Sequence, residues 1–138
     1  MAAETDTLVV HCSDHRLANG CQKFVEEELK VPVYDLVSVP GGPQFLRVLE
    51  YLPKFTWAGR RWLRFLVESH HIRRVILIAH LDCGWYKHLH GTSESHVERQ
   101  KGDLLHAADD LRDWLPGLHV ESYYASRVEG VVSFERVG

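Results

Sequence analysis

Five consecutive apolar residues, Val75-Ile76-Leu77-Ile78-Ala79, constrain this chain more than any other stretch. A strand without polar alternation is buried on both faces, and sheets covered on both faces are built from parallel strands joined by helical crossovers. The surrounding sequence supplies such crossovers. Thr7 to His11 reads as a first strand, Tyr34 to Val39 as a second and Arg73 to Ala79 as a third. Between the first two, Leu17, Cys21, Phe24, Val25 and Leu29 share one face of a helix over Leu17 to Lys30, which Pro32 ends. Pro40-Gly41-Gly42-Pro43 forces a turn. A helix is then expected from Pro43 or Gln44 to Pro53, carrying Phe45, Leu46, Val48, Leu49 and Leu52. Trp57 to His70 reads as another, with Trp62, Phe65, Leu66 and Ser69 inward and Arg60, Arg61 and Arg64 on a solvated face.

The rest of the chain continues the alternation. Lys87 to His96 reads as a polar, histidine-rich loop. Ser95-His96-Val97-Glu98 has the form of a capping box opening a helix to about Leu115. Val97, Leu104, Leu105, Ala108, Leu111 and Leu115 line its inner face, and Pro116-Gly117 stops it. His119 to Ser126 and Val131 to Val137 close the chain as a hairpin turning at Glu129-Gly130. The expected fold is α/β: one domain over residues 1–138, with a mainly parallel sheet of order 2-1-3-4, an antiparallel fifth strand and flanking helices. In a sheet of that order, ligands bind outside the carboxyl ends of strands one and three, where the winding reverses.

Two motifs fall at those ends. Cys12-Ser13-Asp14-His15-Arg16 follows strand one, and His80-Leu81-Asp82-Cys83-Gly84 follows strand three. Two thiolates and an imidazole suit zinc, and three protein ligands with an open fourth position mark a catalytic rather than a structural site. Asp14 and Arg16 add a charge pair able to act on that open position. Taken singly, each residue also fits a plain structural role, the cysteines as buried strand-end residues and His80 as a hydrogen-bonded turn residue. A cysteine-phosphatase loop is excluded, because the spacing from Cys12 to Arg16 is too tight.

Cys12-x-Asp14-x-Arg16 followed by His80-x-x-Cys83-Gly84 resembles the paired signature of the β-class carbonic anhydrases, and the likeness extends in weaker form over most of the chain. The resemblance implies that Cys12, His80 and Cys83 bind Zn2+, with water, hydroxide or an aspartate in the fourth position. It implies that Asp14 and Arg16 are the catalytic dyad, and that the reaction is reversible hydration of CO2 to bicarbonate by zinc-bound hydroxide. It also implies a homo-oligomer. Zinc with two thiolates and a neutral imidazole is formally uncharged, so it acidifies water less than an all-histidine site does. The Pro40-Gly41-Gly42-Pro43 loop and the short segment before strand one differ from the family pattern. They leave open a related heterocumulene such as COS or CS2 as substrate, or a zinc-binding module without catalysis.

Composition narrows the partners. A net charge of −3 over 138 residues lacks the basic excess of a nucleic-acid footprint. No apolar run is long enough to span a bilayer, and Met1 to Thr7 has no signal-peptide pattern. A cytoplasmic protein acting on a small molecule, with no membrane or nucleic-acid partner, is expected. Three cysteines cannot all pair, and Cys21 reads as a small buried apolar residue. His88, His90 and His96 with Lys87 are compatible with a proton shuttle, a second metal site or a solvated loop. His11 should point away from the metal motif, and His70-His71 should close a helix. Gly41-Gly42 either offers backbone N–H groups to an anion or serves as a tight turn. Trp85 and Tyr86 either wall the site or pack in the core.

Overall fold

The first strand, β1 (Thr7–Cys12), is buried at every residue, because it lies inside the sheet with a parallel neighbour on each side. One neighbour is β2 (Asp35–Val39), with Val10 opposite Val37. The other is β3 (Arg74–His80), with Val10 opposite Leu77. β4 (His119–Val128) adds in parallel on the far side of β3. β5 (Val131–Val137) returns antiparallel along it. The order is β2-β1-β3-β4-β5, as the sequence pattern predicts. Glu129 (φ 51°) and Gly130 (φ 80°) form the two-residue hairpin loop, whose left-handed backbone matches the strand twist. The computed structural model describes residues 4–46, 53–91 and 96–138.

Successive residues of β1 and β3 serve opposite faces. Leu8, Val10, Val75 and Leu77 pack with Phe45, Leu63, Leu104 and Leu111 on one side. Val9, Ile76 and Ile78 pack with Leu17, Cys21, Phe24 and Val25 on the other. This two-sided burial is what the unbroken apolar run requires. The second side is covered by α1 (His15–Lys23), which passes into one π-helical turn over Phe24–Glu28. The first side is covered by α2 (Pro53–His70) and α4 (Val97–Trp114).

The structure corrects four details. α2 turns Trp62, Phe65 and Ser69 outward, the first two being 52% and 63% exposed, and buries Thr56, Gly59 and Leu63. Small residues face inward because the Phe45 ring occupies the space. A Cβ on Gly59 would lie 2.2 Å from that ring, and the Thr56 hydroxyl donates to the Phe45 carbonyl at 2.7 Å. The histidine-rich stretch is not a loop throughout, for Gly84–His90 forms a short helix, α3, ended by Gly91 at φ 91°. Leu105 is 42% exposed while Ala107 takes the inward position. After the Pro40 turn the chain makes a short 3-10 helix, Gly42–Leu46. Val48, Leu49, Leu52 and the Ser95 capping position lie outside the described residues.

Candidate metal centre

Strand geometry delivers the ligands. Cys12 is the last residue of β1 and His80 the last of β3. After His80 the chain turns through Asp82, whose φ of 63° swings Cys83 back toward Cys12 at the start of α3. Asp tolerates that left-handed backbone better than most side chains. The two sulfurs and an imidazole nitrogen all lie within 4.8 Å of one another. Cys12, His80 and Cys83 are 7%, 3% and 3% exposed. The switch-point expectation is therefore met in space as well as in sequence.

The donor set fits a zinc ion. His80 Nδ1 lies 2.9 Å from the Leu81 carbonyl, which places the proton on Nδ1. Nε2 is left with a lone pair, buried and without a hydrogen-bond partner. A buried polar atom without a partner is costly, and coordination would satisfy it. The sulfurs are prepared in the same sense. The hydrogen bond from the Cys83 thiol, helped by His80, pulls the Cys12 thiol down to about 4 against the effect of burial. Cys83 is held far above the ordinary thiol range by the Cys12 sulfur first and burial second. One proton is thus shared by two sulfurs, and a metal cation would displace it.

Supporting contacts come from residues on which the sequence reading placed less weight. The Gly41 N–H donates to Cys12 Sγ at 3.4 Å, so the anion served by this glycine turn is the ligand thiolate itself. Gln100, buried on the inner face of α4, donates to the His80 carbonyl at 2.8 Å and accepts from the Tyr124 hydroxyl at 2.7 Å. A polar residue at a core position of a helix was the available signal. Tyr86 is 2% exposed and packs on Cys12 and Cys83, with Trp85 against the same cluster. His11 is buried, hydrogen-bonds the Cys12 carbonyl through Nδ1 at 2.8 Å, and is lowered by burial, so it stays neutral. His90 meets the Gln44 amide at 3.2 Å and the ring of Tyr86, while His88 stacks on Trp85. Among the described residues these histidines form no second cluster of metal ligands.

Asp14 and Arg16 lie just beyond Cys12, at the start of α1. Asp14 caps α1 through the Arg16 N–H at 2.9 Å, and its carboxylate meets the Arg16 guanidinium at 2.6 and 3.1 Å. That guanidinium holds Asp14 well below the usual carboxylate range. The Asp14 side chain is 14% exposed and that of Arg16 is 39% exposed. Arg16 also reaches Asp82, at 3.6 Å to its carboxylate, and Asp82 is in turn paired with Lys87. The rim is a chain of alternating charge, Asp14–Arg16–Asp82–Lys87.

Comparisons with known proteins agree with this geometry. An uncharacterized protein of Rickettsia conorii is 28% identical across 94% of this chain and 71% of its own length. One of Rickettsia bellii is 28% identical, across 94% and 80%. Among solved structures, a carbonic anhydrase from Glaciozyma antarctica superposes with a TM-score of 0.63 at 18% identity, over 96% of this chain and 82% of that one. One from Streptococcus mutans gives 0.62 at 15% identity, over 98% and 82%. At such identities these structures establish the shared fold. The sequence profile of the family described as putative carbonic anhydrase matches residues 2–135. With nearly the whole chain matched and the Cys12-His80-Cys83 cluster assembled at the sheet's switch point, this protein belongs to the putative carbonic anhydrase family.

Proposed function

We propose that this protein catalyses the reversible hydration of CO2 to bicarbonate with one Zn2+ held by Cys12, His80 and Cys83. The observation that carries the reading is the convergence of these three donors, with the His80 Nε2 lone pair unpartnered beside two sulfurs. Zinc, when bound, would supply the Lewis acidity that makes water a stronger nucleophile. The chain's own groups do the rest. Asp14, kept ionised by Arg16, offers a hydrogen-bond acceptor that orients the attacking O–H. Arg16, shared between Asp14 and Asp82, decides how firmly that carboxylate is held back from the metal ligands. Gly41 holds Cys12 from behind, and Gln100 and the Leu81 carbonyl hold His80. Tyr86 and Trp85 give the site an apolar wall suited to a small nonpolar substrate.

The same wall favours a second reading, in which COS or CS2 takes the place of CO2. Stopped-flow assays of zinc-loaded protein with each substrate separate the two. Zinc bound at one per chain with no turnover of any of them refutes both and leaves a structural metal. The reading includes a cytoplasmic location and a homo-oligomer built on the exposed β2 edge, where Leu36 is 48% exposed. Light scattering giving a monomeric mass at micromolar concentration would remove the oligomer from it. No helix among the described residues is long and apolar enough to cross a membrane.

A further inference from the structure

Asp82 stands between the Asp14–Arg16 pair and α3. Its backbone is left-handed, φ 63°, in the turn that brings Cys83 to the start of α3. The same turn sets its carboxylate between Arg16 and Lys87. Oδ2 lies 3.6 Å from Arg16 Nη1, and the Asp82 carbonyl accepts from Arg16 Nη2 at 3.4 Å. Oδ1 is paired with the Lys87 ammonium. The Arg16 guanidinium is divided accordingly. Its Nε and Nη2 donate to Asp14 at 3.1 and 2.6 Å, while Nη1 is turned to Asp82. Two carboxylates, one after β1 and one after β3, thus compete for one guanidinium, and Lys87 neutralises the second of them. The Asp14 side chain is 14% exposed and that of Asp82 is 53% exposed. The Asp14 pair is therefore the less screened of the two, and it keeps the shorter contacts.

We propose that Asp82 and Lys87 are positioning residues that set, with opposite signs, how firmly Arg16 holds Asp14 away from the open fourth ligand position. This rests on the role given above to Asp14 and Arg16. With Lys87 in place, much of the Asp82 charge is taken up by the ammonium, and the guanidinium is left to Asp14. Without that ammonium, Asp82 draws Arg16 toward α3, and the Asp14 carboxylate gains freedom to approach the ligands. Without the Asp82 carboxylate, Arg16 loses the competing partner and its hold on Asp14 tightens. α3 packs on the ligand sulfurs through Tyr86, so charge links it to the same centre a second time.

The test uses the full chain loaded with Co2+ and titrated with azide, an anion that competes with Asp14 for the open position. The visible spectrum of cobalt reads binding without turnover. Asparagine tolerates left-handed backbone, so Asp82→Asn removes the charge and spares the turn. It should tighten azide binding roughly twofold to fivefold, the effect of one exposed ion pair. Lys87→Gln should weaken binding by a similar factor, and Lys87→Arg should behave as wild type. Charge alone would attract or repel azide in the same directions, so each variant is also made together with Asp14→Ala. Both differences should then fall away, because no carboxylate remains to compete. Differences that persist alongside Asp14→Ala overturn the proposal, as does loss of cobalt from either single variant, which would make the residue a structural support. Arg16→Ala separates this proposal from the reading beneath it. If that variant brings a carboxylate into the cobalt spectrum while Asp82→Asn and Lys87→Gln match wild type, the Asp14–Arg16 role stands and the proposal falls. If Arg16→Ala also leaves spectrum and azide affinity unchanged, both fall.

Discussion

Gly42 ties the turn after β2 to the metal strand, and replacing it with alanine should damage stability and metal binding together. Its φ is +56°, and an added Cβ would stand 2.8 Å from the Cys12 amide nitrogen and 2.9 Å from the His11 carbonyl carbon. Both atoms are backbone of β1, held on one side by β2 and on the other by β3, so neither can yield cheaply. Gly117 is the control. It has φ +96° with nothing within 4 Å of an added Cβ, so Gly117→Ala isolates the conformational cost. That cost is about 1 kcal/mol. The collision at Gly42 adds about 2 kcal/mol, within the range for overfilling a packed interior. For a chain of this size the melting temperature should fall about 3 °C for Gly117→Ala and about 10 °C for Gly42→Ala. Because the pressure falls on the Cys12 amide, zinc should also be released to a competing chelator sooner in Gly42→Ala and unchanged in Gly117→Ala. Equal losses for the two variants, or unaltered zinc affinity in Gly42→Ala, would refute the reasoning.

Metal analysis should find one zinc per chain, lost in Cys83→Ser, and chelation should lower the melting temperature of wild type but not of that variant. Retention of zinc by Cys83→Ser would count against the ligand set. Arg16→Ala should change stability by only about 0–1 kcal/mol, and Asp14→Ala, which also removes the cap of α1, by about 0.5–2 kcal/mol. Their activities should diverge, Arg16→Ala losing turnover with zinc retained and Asp14→Ala keeping a residue of it. The visible spectrum of cobalt-substituted protein reports whether the released Asp14 carboxylate joins the ligands. Wild-type rates and spectra in both variants would reduce the pair to a surface contact. Cys21 is 1% exposed and burial pushes its thiol up to about 12. It should therefore resist iodoacetamide at pH 8 in folded protein and react only after denaturant is added. Early labelling at Cys21 would contradict its burial.

Much of this molecule is legible in its residues because two constraints coincide. Continuous apolar runs forced β1 and β3 into the middle of a parallel sheet, and the Cys12 and His80 motifs sit where such a sheet opens. What escaped the pattern has physical causes. α2 carries large apolar residues on more than one side, so its periodicity admits two inner faces. The bulky choice of Trp62 and Phe65 fails because Phe45 fills the space and Gly59 makes room for it. α3 carries lysine and histidines and reads as solvated loop, yet Tyr86 anchors it on the ligand sulfurs. Gln100 is invisible to a hydrophobic pattern, since its burial is repaid by the His80 carbonyl and the Tyr124 hydroxyl rather than by apolar contact.

The first strand to be made is an interior strand, and that fixes the timing of assembly. β1 leaves the ribosome with both long edges unpaired, and the partner that brings the other ligands ends at His80. Cys12 and Cys83 are separated by 71 positions. At typical rates of synthesis that interval lasts roughly 4–14 s. Through most of it Leu8, Val9 and Val10 have only β2 to pair with, and Cys12 lacks the other two donors of the site. Metal capture therefore follows the closure of a long loop and cannot guide it. A cell making this chain must keep its amino-terminal segment from aggregating or oxidising until the third strand arrives.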